Sequence, residues 1–370
     1  MTSIDTAIFE QRLTRVQERM AAVGIDLLVI GPSADFRYLT GHAAHTSERL
    51  TALLIPQHGE SRLVVPRLEA PLYAALDGRL AIDAWDETDD PIARIAATAR
   101  VVGGATLAVN DDLWSGFLLR IQAALPGHVT RSASVVLAPL RAVKDAAELT
   151  LLREASRRTD AAWEEFCFTT RLPGMTERGV ADRLRALMAA HGIPEVAFCI
   201  VGSGPNGASP HHLAGNRVIE RGDPVVIDFG GVYEGYYSDI TRTPVAGEPE
   251  PAFVGAYETV LRAQQAAFEA IRPGTPCQEV DRAARRVITA AGFGDAFLHR
   301  VGHGLGLTEH ESPYLVEGNT EPLRPGMVVS DEPGIYLAGR WGIRIEDSVA
   351  VTADGAERLN TVSRDLTVLG

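Results

Sequence analysis

The chain is poor in cysteine: Cys167, Cys199 and Cys277 lie far apart in 370 residues and form no CxxC pair. That argues against a disulfide framework and against a thiolate zinc site, and it suits a reducing compartment. Positive charge is also scarce. Thirty-five lysines and arginines face 48 acids, for a formal charge of −13 with no basic stripe to offset it, so nucleic acid is not an expected partner. No apolar run approaches the roughly 18 residues of a membrane span, so no membrane partner is expected. The opening MTSIDTAIFEQRLTR lacks the basic-then-apolar layout of a secretion signal, and a cytoplasmic location is the expectation. Two activities lack their signatures. Neither GHGLGL nor GSGPNG has the GxxxxGK[ST] spacing of a phosphate loop. Ser203 and Ser209 sit in no G-x-S-x-G elbow.

What is present is enough for two domains: 46% of the residues are hydrophobic, ample for packed cores at this length. Helical spacing over 7–23 stops at Gly24, a natural C-terminal cap. Strand-like runs at 26–30, 51–55, 62–65 and 105–109 alternate with helical stretches at 91–102 and 114–124, which predicts an α/β N-terminal domain. The alternation ends near Leu137-Ala138-Pro139-Leu140, which sets domains of 1–142 and 143–370. Helices are expected over 146–168, from Thr176 to near Gly192, over 251–272 and over 277–291. Four helices backing a sheet make the second domain α+β. Cys167 and Cys277 fall in or beside these helices and read as small packing residues.

Two acidic pairs stand out within apolar strands. In VVIDFGGVYEGYYSDITRTPV, Asp228 and Asp239 flank Tyr233-Glu234-Gly235, and a hairpin turning there sets them across from each other. In MVVSDEPGIYLAGRWGIRIEDSVAV, Glu332 and Glu346 are centred on Gly339. Opposed residues have Cβ atoms roughly 5 Å apart, where like charges repel. Buried strands that do this twice need a cation between the acids. GHGLGL adds His303. Four carboxylates and an imidazole suit two divalent metals that activate a shared water. A pair of acidic surface hairpins is the plain alternative, opposed by the apolar neighbours Val225, Val226, Ile227, Ile240 and Ile345.

In their order and spacing, PHH at 210–212, IDFGG, SDITRTP, HRVGHGLGL, TEHESPY, PGMVVSDEPGIY and IRIED resemble the pita-bread metallopeptidases. That family includes prolidase, aminopeptidase P, methionine aminopeptidase and the metal-free creatinase. DITRTP and EPGIY, with the softer DFRYLTG and RAVKDAAEL, place the chain near the Xaa-Pro peptidases. The resemblance implies a curved antiparallel sheet backed by helices, with Asp228, Asp239, His303, Glu332 and Glu346 as ligands of two divalent ions. In that pattern Asp228 binds one metal with both oxygens, His303 and Glu332 hold the other, and Asp239 and Glu346 bridge. The donor set suits Mn, Co, Zn or Fe.

By the same resemblance His211 and His310 are catalytic, stabilising the negative charge of a tetrahedral intermediate, and Glu332 also moves the water's proton. His212 is the neighbour most easily exchanged with His211. Thr241, on the face of Asp239, is either a hydroxyl donor to a ligand carboxylate or a plain strand threonine. His299 matches a substrate-site histidine or serves packing. Arg344 either anchors a substrate or ligand carboxylate or is a surface arginine. Arg49, after His45-Thr46-Ser47-Glu48, either reaches a cleft to pair with a substrate carboxylate or pairs with Glu48. Asp331 stands where the family has an apolar residue, and strand alternation should turn it away from the metals. The expected activity is hydrolysis of the Xaa-Pro imide bond in a dipeptide or short peptide, by a prolidase in the first place and an aminopeptidase P in the second. The resemblance also suggests a homodimer whose N-terminal domains contribute to the neighbour's active-site rim. A creatinase-like enzyme or a non-catalytic scaffold is the more distant alternative, disfavoured because every ligand position is intact.

Overall fold

Short apolar runs broken by turn residues build the first of two units, a six-stranded mixed sheet with helices. The computed structural model describes residues 6–76 and 78–370, and these divide after Arg141. The first unit holds α1 (Thr6–Val23), β1 (Leu27–Ile30), α2 (Ala34–Thr40), β2 (Ala52–Pro56), β3 (Arg62–Pro66), β4 (Ala81–Trp85), α3 (Pro91–Val102), β5 (Thr106–Val109), α4 (Ser115–Ala124), β6 (Val129–Ser132) and α5 (Ser134–Arg141). Its strand order is β4-β3-β2-β1-β5-β6. The buried inner strands are the ones that the apolar runs predict. The sheet edges β4 and β6 bury few side chains, so their sequences carry no such signal. Asp90 caps α3, its side chain accepting from Ile92 N–H, with Pro91 at the first helical position.

The second unit places two helix pairs against strands. Its helices are α6 (Ala146–Thr169), α7 (Glu177–Ala190), α8 (Pro251–Ala270) and α9 (Cys277–Ala290). A capping box starts α6, with Asp145 accepting from the N–H groups of Ala147 and Glu148 while Glu148 accepts from that of Asp145. Its strands are β7 (Glu195–Ser203), β8 (Val225–Tyr233), β9 (Tyr236–Tyr237), β10 (Ile240–Arg242), β11 (Gly302–Gly304), β12 (Glu311–Leu315), β13 (Val328–Asp331), β14 (Gly334–Leu337), β15 (Trp341–Arg344), β16 (Asp347–Val351) and β17 (Ala356–Arg358). The first helix pair buries Trp163, Phe166, Leu184 and Met188 with Ile227 and Phe229 of β8. The second buries Tyr257, Val260 and Ile288 with Val329, Ile343 and Val349. Each such side chain contributes roughly 1.5–3 kcal/mol by leaving water. The pairs turn alike: Gly174 and Gly274 hold the inter-helix turns at φ 87° and 85°, and Gly192 and Gly292 follow the second helices at 82° and 85°. These left-handed conformations suit glycine.

Pairing registers decide where the acids lie. Asp347 opposes Asp331 across β13 and β16, and Arg344 opposes Gly334 across β14 and β15. Glu332 and Glu346 lie in the break between these two ladders, whose pairings share the midpoint that the sequence predicts for them. The other pair needs a correction. Asp228 opposes Thr241, not Asp239. The hairpin closes through two residues, Glu234 and Gly235 at φ 49° and 89°, with Tyr233 already paired to Tyr236. Asp239 therefore lies diagonal to Asp228 on the same face. An antiparallel bridge between Thr241 and Glu346 joins the two halves of the unit, and the acids meet at this seam.

Candidate metal centre

His303 is the side chain around which the acids gather. Its Nδ1–H donates to the carbonyl of Gly304 at 3.0 Å, which leaves the Nε2 lone pair facing Glu332 Oε1 at 3.3 Å and Asp239 Oδ2 at 3.6 Å. A backbone carbonyl fixing the tautomer in this way is the usual arrangement behind a ligating histidine. Ser330 ties the two sides: it accepts from His303 N–H and donates to Glu332 Oε1, both at 3.0 Å. One donor atom each from Asp239, His303 and Glu346 falls within 4.8 Å of the others.

Arg344 organises the opposite side. It is 2% exposed, so the surface reading of this arginine is set aside. Its guanidinium donates to Asp228 Oδ2 at 2.5 Å, to Thr241 Oγ1 at 3.0 Å and to the Tyr336 hydroxyl at 2.7 Å. Thr241 in turn donates to Glu346 Oε2 at 2.6 Å, the hydroxyl–carboxylate bond that its position allows. The free oxygen of Asp228, Oδ1, is buried and has no hydrogen-bond partner among the described residues. Burial and the charges of Glu346, Asp228 and Glu332 push the Asp239 carboxyl far above its ordinary range. Burial with Glu332 and Asp228 does the same to Glu346. Burial raises Glu332 to about 7 and lowers His303 to about 3. Four acids this close to each other ask for positive charge beyond Arg344. The orphaned Asp228 oxygen and the His303 lone pair are donor atoms still without such a partner in this wall.

A cavity of about 540 Å³ opens over these groups. Asp228, Asp239, His303, Glu332 and Glu346 all line it, with His211, His299, His310 and Arg344. His310 lies with its ring centre 3.9 Å from that of His303 and is half-exposed. The neighbouring histidines 211 and 212 separate: His211 lines the cavity, whereas His212 donates through Nε2 to buried Glu177 at 2.9 Å. His299 is half-buried, donates through Nδ1 to the Arg300 carbonyl at 2.7 Å and accepts at Nε2 from the Tyr336 hydroxyl at 2.9 Å. Burial, then Arg344, lowers its pKa to about 3, so it stays neutral. Arg49 belongs to the first unit, where it pairs with Glu48 at 2.5 Å and Glu87 at 2.7 Å. Asp331 does not line the cavity; it is fully buried against Asp347, so it points away from the acids without reaching solvent.

Sequence reading missed three supports. Tyr336 links Arg344 to His299, and the register that pairs it with Gly342 leaves space for its ring. Lys144 and Glu311, both buried, pair at 2.7 Å, and Glu311 also accepts from Thr308; this ties down the loop that ends in His310. Glu177 holds the segment around His211. Helix spacing marks none of these, since each partner comes from a distant part of the chain.

A family model described as "Metallopeptidase family M24" matches residues 150–353, and one described as "Creatinase/Prolidase N-terminal domain" matches 12–143. The "Probable dipeptidase PepE" of Mycobacterium tuberculosis is 45% identical over 374 residues, covering 99% of this chain and 98% of that one. The crystal structure of dipeptidase PepE from Mycobacterium ulcerans has a TM-score of 0.93 at 44% identity, with 99% of each chain covered. That of recombinant prolidase from Thermococcus sibiricus has a TM-score of 0.93 at 34% identity, covering 99% of this chain and 100% of that one.

Proposed function

From this chain's membership of metallopeptidase family M24, we propose a prolidase, a hydrolase that cleaves the Xaa-Pro imide bond of dipeptides with a pair of divalent ions. The observation that carries the reading is the convergence of the His303 lone pair and the orphaned Asp228 oxygen with Asp239, Glu332 and Glu346 in one cavity wall. Those five residues would hold the ions, with Mn, Co, Zn and Fe all compatible with their donors. When bound, such ions lower the pKa of a water and polarise the scissile carbonyl.

The side chains supply the rest. Glu332 takes the proton of the attacking water at a carboxylate oxygen and returns it to the proline nitrogen as the bond breaks. His211 and His310, on the cavity wall, donate to the oxygen on which negative charge develops. Arg344 is fully engaged by Asp228, Thr241 and Tyr336, so it orients a ligand rather than receiving substrate. Arg49 carries two carboxylate partners of its own, which argues against a role in anchoring the dipeptide. Two relatives bearing the names dipeptidase and prolidase across nearly their whole lengths favour the dipeptidase over an aminopeptidase P. We propose further that the enzyme works as a homodimer in the cytoplasm; three free cysteines suit that compartment, and no helix among the described residues is long and apolar enough to cross a membrane.

The test compares kcat/KM on an Xaa-Pro dipeptide and an Xaa-Pro-Yaa tripeptide, after chelation and reloading with Mn or Co. A dipeptide preference restored by metal, and unchanged in Arg49→Ala, is expected. A tripeptide preference overturns the dipeptidase reading. Less than about half a metal per chain, with no restored activity, overturns the metal reading altogether. Light scattering of the purified protein reads the dimer.

A further inference from the structure

We infer that Glu177 is the positioning residue that sets His211 at the cavity, an inference that rests on the catalytic role proposed for His211. Glu177 is the first residue of α7 and is wholly buried. Its carboxylate accepts five hydrogen bonds, divided between its oxygens. Oε1 takes Ser203 N–H at 2.9 Å, Ser203 Oγ–H at 2.8 Å and the Asn206 side-chain amide at 2.9 Å. Oε2 takes His212 Nε2–H at 2.9 Å and Gly215 N–H at 3.1 Å. The first three donors precede His211 in the chain and the last two follow it. One carboxylate therefore ties both flanks of the loop, and His211 projects from between them.

The rest of the loop's support converges on the same point. Gly207 packs so closely on Gly342 that a Cβ on Gly342 would lie 1.8 Å from the Gly207 carbonyl oxygen, which seats the loop against β15, the strand of Arg344. The Pro210 carbonyl, next to His211, accepts from Arg344 at 3.4 Å. Glu177 does not line the cavity, so it reaches no substrate and acts only through the loop. Five donors need an acceptor-only group, and the carboxylate meets that demand in its ionised form. Its pKa agrees: burial raises it, and the bonds from Ser203, Asn206 and His212 outweigh that and hold it below the ordinary value. Replacing the carboxylate by an amide turns one acceptor into a donor facing donors and frees one flank. Displacement of a catalytic group by about 1 Å can cost roughly 100-fold in rate.

The experiment is a double-mutant cycle of Glu177→Gln with His211→Ala, on the metal-loaded enzyme and an Xaa-Pro dipeptide. Glu177→Gln is expected to lower kcat about 10- to 100-fold, to leave KM within about threefold and to keep the bound metal at the wild-type ratio. If Glu177 acts through His211, the double variant is no more than about twofold slower than His211→Ala, and amide exchange at Ser203 and Gly215 accelerates in Glu177→Gln. Additive losses, metal loss in Glu177→Gln, or a kcat within about twofold of wild type would each overturn the inference while leaving the proposed function intact. A His211→Ala enzyme of wild-type kcat overturns the role of His211 and this inference with it. Should Glu177→Gln fail to fold, Asn206→Ala, which removes a single donor, takes its place in the cycle with an expected loss of about 3- to 10-fold; additivity there has the same meaning.

Discussion

Thr241→Val keeps the shape of a wholly buried strand residue and removes one hydroxyl. That hydroxyl donates to Glu346 Oε2 at 2.6 Å and accepts from Arg344 Nε at 3.0 Å. Arg344 is a charged group in the buried seam, so its bond belongs to the stronger, charge-assisted class. The valine methyl satisfies neither partner. An unsatisfied buried donor on a charged group costs about 1.5–3 kcal/mol, and the added methyl returns under 1 kcal/mol of transfer free energy. A net loss of about 1–2 kcal/mol follows for the metal-free protein, which in a unit of this size is about 2–8 °C in Tm. With metal the effect moves to affinity. Glu346 loses the donor that aims it, and loss of such a partner lowers metal affinity by roughly 10- to 100-fold. Thermal unfolding of chelated and reloaded protein, together with calorimetric metal titration, reads the two quantities separately. A Tm within 1 °C of wild type and an unchanged Kd would show that the hydroxyl supports neither Arg344 nor Glu346, and the described seam would not be what holds the ligands.

Asp228→Asn and Glu346→Gln should each abolish turnover while the circular dichroism stays native; retention of more than about a tenth of kcat, a barrier change under ~1.4 kcal/mol, would remove them from the ligand set. His211→Ala and His310→Ala should keep both metals and lose roughly 100- to 1,000-fold in kcat, and metal loss in His310→Ala would instead make it a ligand. His212→Ala, which removes one of the donors to Glu177, should lose far less than His211→Ala, and the reverse order would show that the wrong histidine was chosen. Cys199 and Cys277 are buried, and burial pushes both thiols up to about 12; below that pH the unreactive protonated form dominates. Native protein at pH 8 should therefore resist iodoacetamide at both, with labelling appearing only on unfolding, as mass spectrometry of the peptides will show.

The residue types that gather at the cavity wall, and their order, were legible in the sequence because each sits in a motif whose neighbours are fixed by local demands. Apolar strand residues bracket the acids, glycines flank His303, and a turn lies midway between Glu332 and Glu346. The four helices of the second domain were legible for the same reason, since Asp145 and Thr176 cap locally and an apolar stripe repeats every turn. The hairpin of Asp228 went astray by one turn residue. Glu234 takes a positive φ that its type rarely adopts, and no local rule chooses the two-residue turn there. The edge strands β4 and β6 were invisible because they bury little.

What only the tertiary structure decided is the direction and company of the polar side chains. A sequence does not say that Arg344 turns inward to Asp228, or that His212 is taken by Glu177 while its neighbour faces the cavity. Nor does it say that Asp331 is buried against Asp347. Each of these depends on a hydrogen bond to a partner distant in the chain, and no periodicity encodes such a bond. Apolar patterning is summed over many residues and survives being read one segment at a time. The partner of a buried charge is a single atom, and only the packed fold chooses it.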